Sequence, residues 1–190
     1  MNKPKKRSVS RYAKTLYKEF QSNSLTVFLC GPSYTKRPEA GAELRFRLEQ
    51  ALTNEGFEVV PGEDDGLVSL QETYGKYAHQ NEREFVTSQA AAIVLVADSA
   101  GSLCELGMFA DRITELNSPA QAFVVLMEER YKGDNSYINL GPAKVVEDMK
   151  KLIYADFSNF NESEVVDYLK RLRTVVISER RGRPRRRTPG

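Results

Sequence analysis

Residues 96–111 read Val-Ala-Asp-Ser-Ala-Gly-Ser-Leu-Cys-Glu-Leu-Gly-Met-Phe-Ala-Asp. An apolar run stops at Asp98, four small residues follow, and a carboxylate, Glu105, comes soon after. Free N–H groups and the positive end of a helix dipole gather where a strand passes into a helix, so an acid on the first helical turn is stabilised as an anion. With the helix starting near Ser102 or Leu103, Glu105 falls on that turn. Ser99, Gly101 and Ser102 offer hydroxyls and close backbone approach, which a phosphate or a ribose requires. Asp98 is placed to orient a neighbour, contact a sugar hydroxyl or cap the turn. The plainer reading is a favourable first-turn acid and a serine N-cap.

Other reactive residues are thinly spread. Cys104 next to Glu105, with the single histidine, His79, raises a Cys–His nucleophile pair. Successive helical side chains diverge by about 100°, so Cys104 is expected to face the core when Glu105 faces a cleft. Gly-Glu-Asp-Asp-Gly at 62–66 offers acids that would be solvated or bind a divalent ion. Tyr34, Arg37 and Arg45 are possible phosphate contacts, although Arg45, inside a helix, is expected to be a surface ion-pair partner.

Several elements must position these residues. Compact apolar runs at 25–30, 56–61, 91–97, 121–127 and 152–157 read as strands. Amphipathic patterns at 38–54, 80–90, 103–116, 143–151 and 161–174 read as helices, with Asn161 or Ser163 capping the last. A further helix is expected over 9–21. Alternating strands and helices predict an α/β, flavodoxin-like three-layer sandwich: a five-stranded parallel sheet, order 2-1-3-4-5, with helices on both faces. Ligands of such sheets sit at the carboxyl ends of the strands near the switch point. That selects Cys-Gly-Pro-Ser-Tyr after strand one and Ala-Asp-Ser-Ala-Gly-Ser after strand three.

The composition narrows the class. At 190 residues the chain suits one domain, bounded as a basic N-terminal extension (1–22), a body (23–178) and an Arg-rich tail (179–190). The net charge of +2 hides an asymmetry. Residues 1–18 hold seven Lys/Arg and no acid, and 179–190 hold six Arg and one Glu. Over 19–178 there remain 15 basic and 25 acidic side chains, so the body is acidic. This argues against a nucleic-acid groove across the body and leaves the ends as the contacts. The apolar run at 90–97 is too short to span a bilayer, and the N-terminus lacks a signal-like apolar centre, so no membrane partner is expected. Two cysteines make no disulfide framework, and a reducing cytoplasm is the expected compartment.

The segment Phe-Leu-Cys-Gly-Pro, then Gly-Phe-Glu-Val-Val-Pro, then 81–110 with its Glu-Leu-Gly element, resembles the nucleoside 2-deoxyribosyltransferase family and its deoxynucleoside 5′-monophosphate N-glycosidase branch. The resemblance covers roughly 25–127. It implies that Glu105 is the nucleophile that attacks the sugar's anomeric carbon, with the ester resolved by water or a second base. It implies that Ser99 holds a 5′-phosphate and that Gly31 and Pro32 form the wall against sugar or phosphate. The family's second acid, usually Asp, sits on the helix before strand three. Here Glu84 aligns nearest as general acid, with Glu82 and Asn81 as competitors. The family's Asp at the start of strand three is replaced by Ala91 and Ala92, a departure that bears on base specificity.

The resemblance thus implies an enzyme that cleaves the N-glycosidic bond of a nucleoside, nucleotide or NAD, with no metal or redox cofactor and a homo-oligomeric assembly. Such domains occur as effectors in anti-phage systems, including retrons. The contrasting expectation is a nucleotide-sensing module without turnover. The tail's Arg-Gly-Arg-Pro resembles an AT-hook, with Arg181, Arg183 and Arg185 as nucleic-acid contacts; the alternative is a non-specific basic tail on DNA or RNA.

Overall fold

A computed structural model describes residues 24–62, 77–116 and 122–182. The expected helix over 9–21, the acids of the 62–66 loop and tail residues Arg183 and Arg185 lie outside them. Five strands form the sheet: β1 (Thr26–Cys30), β2 (Glu58–Pro61), β3 (Ala92–Ala97), β4 (Ala122–Glu128) and β5 (Lys151–Ala155). The order is β2-β1-β3-β4-β5, and every pairing is parallel. Helices α1 (Ala40–Asn54), α2 (Ala78–Ser88), α3 (Ala100–Leu116), α4 (Tyr137–Leu140), α5 (Pro142–Met149) and α6 (Ser163–Gly182) connect or follow the strands. This is the three-layer architecture expected from the alternation of short apolar runs with amphipathic segments.

Strand side chains alternate between two layers, as a period of two requires. Val27, Leu29, Val94, Val96, Val124 and Leu126 meet Leu44, Leu48 and Leu52 of α1 and Val165, Val166 and Leu169 of α6. On the other face Phe28, Cys30, Ile93, Leu95 and Phe123 meet α2, α3 and α5. Phe28 is the pivot of this layer, its ring 5.6 Å from Phe85 of α2 and 6.0 Å from Phe109 of α3. The ends of α2 and α3 are thereby held over the end of β1.

Two helices extend past their expected bounds for identifiable reasons. α6 runs to Gly182 rather than 174, because Leu169, Arg173 and Ile177 continue its buried stripe. Arg181 and Gly182, the first half of the hook-like motif, therefore belong to a helix rather than an extended arm. α3 starts at Ala100 rather than 103, held there by a cap between two serines. Cys30 and Cys104 are both free thiols.

Candidate functional site at the carboxyl ends of β1 and β3

The junction of β3 and α3 is a reciprocal serine cap. Ser99 Oγ accepts from the Ser102 N–H at 3.2 Å, while Ser102 Oγ accepts from the N–H groups of Asp98 (3.0 Å) and Ser99 (2.8 Å). This is a capping box with serine in place of the usual Glu or Gln. Ser102 is buried, and its hydroxyl is turned back into the cap. It is not presented to a ligand as the sequence pattern predicts, because the earlier helix start makes it the third helical residue. Ser99 is half-buried and Gly101 exposed, so these two remain at the mouth.

The same shift moves Glu105 to the second turn of α3, and no acid lies on the first. The support of the helix dipole falls off within one turn, so position in the cleft matters more than the dipole. Glu105 is half-buried, with its Oε2 atom out of solvent. Cys104, expected toward the core, is exposed. The buried stripe of α3 centres on Leu106, and two residues back along the helix is about 200° around it. Glu105 sits at the edge of that stripe and Cys104 opposite it. A groove of about 400 Å³, lined by Met108, Asp111, Thr114, Tyr137 and Pro142 among others, lies on the flank of α3 away from Glu105.

Across from α3 the chain leaves β1 through Gly31 and Pro32. Gly31 has φ +147°, and a Cβ there would stand 2.9 Å from both Val96 Cβ and Val96 O. Only glycine lets this loop press against β3. Arg45 of α1 holds it from behind. Its guanidinium donates to the carbonyls of Leu29 (3.1 Å), Gly31 (3.2 Å) and Pro32 (3.1 Å), and lies 4.4 Å from the Tyr34 ring centroid. Arg45 is 1% exposed. The expected surface ion pair is thus replaced by a buried cation, because the chain leaving β1 turns the Gly31 and Pro32 carbonyls toward α1 beside Leu29 O, which also accepts the Gly62 N–H. Arg37, by contrast, is on the surface, bound to Glu43 at 2.7 Å and stacked on Phe46.

Asp98 pairs with Arg130, a largely exposed residue just beyond β4 that the sequence pattern does not single out. The rule that ligands gather at carboxyl strand ends is the signal that would have found it. Burial, and then Glu39, push the Asp98 carboxyl above its ordinary range, and Arg130 opposes them. A Cβ on Gly41 would stand 2.7 Å from Asp98 Oδ2 and 3.1 Å from Pro32 Cγ, so α1, the Pro32 loop and Asp98 are in contact. Alanine normally stabilises a helix relative to glycine. Here Gly41→Ala is expected to lower stability by about 1–3 kcal/mol, because a methyl has no room without moving Asp98. Urea unfolding reads the sign; a gain would mean that Asp98 yields freely.

The second carboxylate comes from α2. Glu84 is exposed on the outer side of that helix, whereas Glu82 is half-buried and faces the sheet. Glu82 Oε1 lies 3.6 Å, and Cys30 Cβ 3.7 Å, from where a Cβ on Gly62 would stand, at the end of β2. Burial first, and then the charges of Glu105 and Glu82, push the Cys30 thiol well above its ordinary value, while Arg45 draws it down. Two carboxylates from different helices, and a buried cation, thus act on the thiol at the end of β1. Asn81 beside Glu82 is itself buried. Ala92 is a buried core residue at the start of β3. His79 is exposed and stacked on Tyr77.

Among the described residues no group of three or more His, Cys, Asp or Glu is arranged to hold a metal ion. No described helix is long and apolar enough to cross a membrane. A family model described as STM3845 retron effector protein matches residues 73–185, a span that includes Asn81, Glu82, Asp98, Ser99, Glu105 and Arg130. No curated protein and no solved structure matches the chain.

Proposed function

The chain belongs to the STM3845 retron effector protein family, and from that premise we propose that it is an N-glycosidase, or a deoxyribosyltransferase-like enzyme, acting in anti-phage defence. Its substrate is a nucleoside, a nucleotide or NAD. Retron effector membership supports the defence role, and loss of a nucleotide pool or of NAD is a toxicity suited to an effector. The observation that carries the chemistry is that Glu82 lies with Cys30 beside Gly62 at the carboxyl end of the sheet, while Glu105, half-buried on α3 with its Oε2 out of solvent, acts on the same thiol.

In this reading the Glu105 carboxylate attacks C1 of the sugar. The C1–N bond breaks and its electron pair goes to the base; from a nucleoside or nucleotide Glu82 delivers the proton that the base needs to leave, whereas nicotinamide departs from NAD neutral and takes none. Water or a second base then takes the sugar from the ester on Glu105. Ser99 and the exposed backbone at Gly101 hold phosphate or sugar, and Gly31 and Pro32 form the opposite wall. The basic ends, including Arg181, Arg183 and Arg185, contact nucleic acid.

The test is incubation with deoxynucleosides, deoxynucleotides and NAD, followed by chromatography for free base. Release of base from at least one of them is expected. Against that substrate Glu82→Gln is expected to slow release by about 10²–10⁴-fold, as loss of a general acid does, and Glu84→Gln by less than about twofold. The reverse ranking would return the acid to Glu84.

A further inference from the structure

Asn81 is 1% exposed, and neither its Oδ1 nor its Nδ2 has a hydrogen-bond partner among the described residues. A buried amide ordinarily finds partners, since leaving them unmade costs the full desolvation of the group. Asn81 also lies inside α2, past the position at which an Asn side chain caps a helix. Among the described residues its helix face continues as Phe85 and Val86, which call for no amide.

The packing of α2 on β1 sets the height of Asn81 in the layer. The Phe28 and Phe85 rings are 5.6 Å apart, and α2 runs back against the direction of β1. Two residues along β1, from Phe28 to Cys30, is about 6.6 Å, and four residues back along α2, from Phe85 to Asn81, is about 6 Å. Asn81 therefore stands level with Cys30. Glu82 Oε1 and Cys30 Cβ lie together there, 3.6 and 3.7 Å from where a Cβ on Gly62 would stand. The Cys30 thiol leans away, toward the carbonyl of Val94 at 3.7 Å.

We propose that Asn81 is the base-reading residue of this site, its amide binding a leaving group that presents a donor and an acceptor side by side. Adenine, with its amino group beside a ring nitrogen, and the carboxamide of nicotinamide both have that edge, and Asn meets such a pair with two hydrogen bonds. Glu82, on the next position, then supplies the proton that adenine needs to leave; nicotinamide leaves neutral without one. The assignment rests on the glycosidase reading and adds to it the contact that selects the base.

The experiment compares wild type with Asn81→Leu, which has similar volume and no amide, and with Asn81→Ala, which cannot fail by crowding. The probes are deoxyadenosine 5′-monophosphate, thymidine 5′-monophosphate and NAD, with 2-deoxyribose 5-phosphate as a base-free competitive inhibitor. Both variants are expected to melt within a few degrees of wild type. They are expected to lose about 10- to 100-fold in kcat/KM on the substrate that wild type cleaves, the effect of removing a paired polar contact to a substrate. Inhibition by 2-deoxyribose 5-phosphate is expected to stay unchanged. Intact kcat/KM in the variants overturns the assignment and leaves the glycosidase reading standing. So does a loss of melting temperature that accounts for the loss of rate, or weakened inhibition by the base-free sugar. A wild-type chain that releases base from none of these or the wider panel overturns the glycosidase reading, and this assignment with it.

Discussion

Glu105→Gln is expected to lower the rate of base release by about 10³-fold or more while leaving substrate affinity within a few-fold and the melting temperature close to wild type. The substitution keeps shape and hydrogen-bonding reach but removes the electron pair that would form the ester. An interaction made only as C1 is attacked shows its loss in kcat and not in binding. The half-buried setting of Glu105 supports a fold that survives the change. Rate by chromatography and affinity by calorimetry together decide the matter. A Gln variant that still turns over at the wild-type rate removes Glu105 from the chemistry. A wild type that binds nucleotides tightly but never releases base points to a sensor instead.

Arg45→Met is the substitution expected to damage the fold most, by about 3–5 kcal/mol in urea unfolding. Methionine fills much of the same space, so the cost is not a cavity. It comes from leaving the carbonyls of Gly31 and Pro32 without their donor and Leu29 O with one of its two, and from removing a buried cation. Main-chain oxygens left without partners are costly, and those of Gly31 and Pro32 meet that fate together, while Leu29 O keeps the Gly62 N–H at 3.2 Å. Domains of this size have only about 5–15 kcal/mol of stability, so a large share would be lost. Arg45→Lys keeps the charge but reaches fewer of the carbonyls and loses the stacking on Tyr34, so it should fall between the two. Where the Lys variant folds, activity should still drop, because the Gly31–Pro32 wall has lost its brace. An unfolding midpoint unmoved by Arg45→Met would show that the three bonds contribute nothing net.

Parts of the candidate site are legible in the sequence because they follow from local rules. The carboxyl ends of β1 and β3 are the switch point of any sheet with this strand order, so Gly31, Pro32, Asp98 and Ser99 are placed together by topology. Glu105 stays close to them because it follows β3 by less than three turns. The failures share one cause, which is helical phase. Starting α3 at Ala100 instead of 103 converts Ser102 from a ligand donor into a cap and moves Glu105 a turn inward. On α2, Glu82 and Glu84 are equivalent in composition and differ only in the side of the helix that meets the sheet.

The layers themselves are dictated by the linear pattern of residues. Apolar strand residues alternate and helical ones recur at three and four, and both periods are written in neighbouring positions, so the order of elements and the faces that bury follow from them. Which polar groups share the space above β1 is fixed by packing in three dimensions. Arg45 meets three carbonyls of an earlier segment, Arg130 reaches Asp98 across the sheet, and Glu82 and Asn81 come to the level of Cys30 from a helix far along the chain. Such meetings depend on how rigid elements are phased against one another, a quantity that no short window of residues contains.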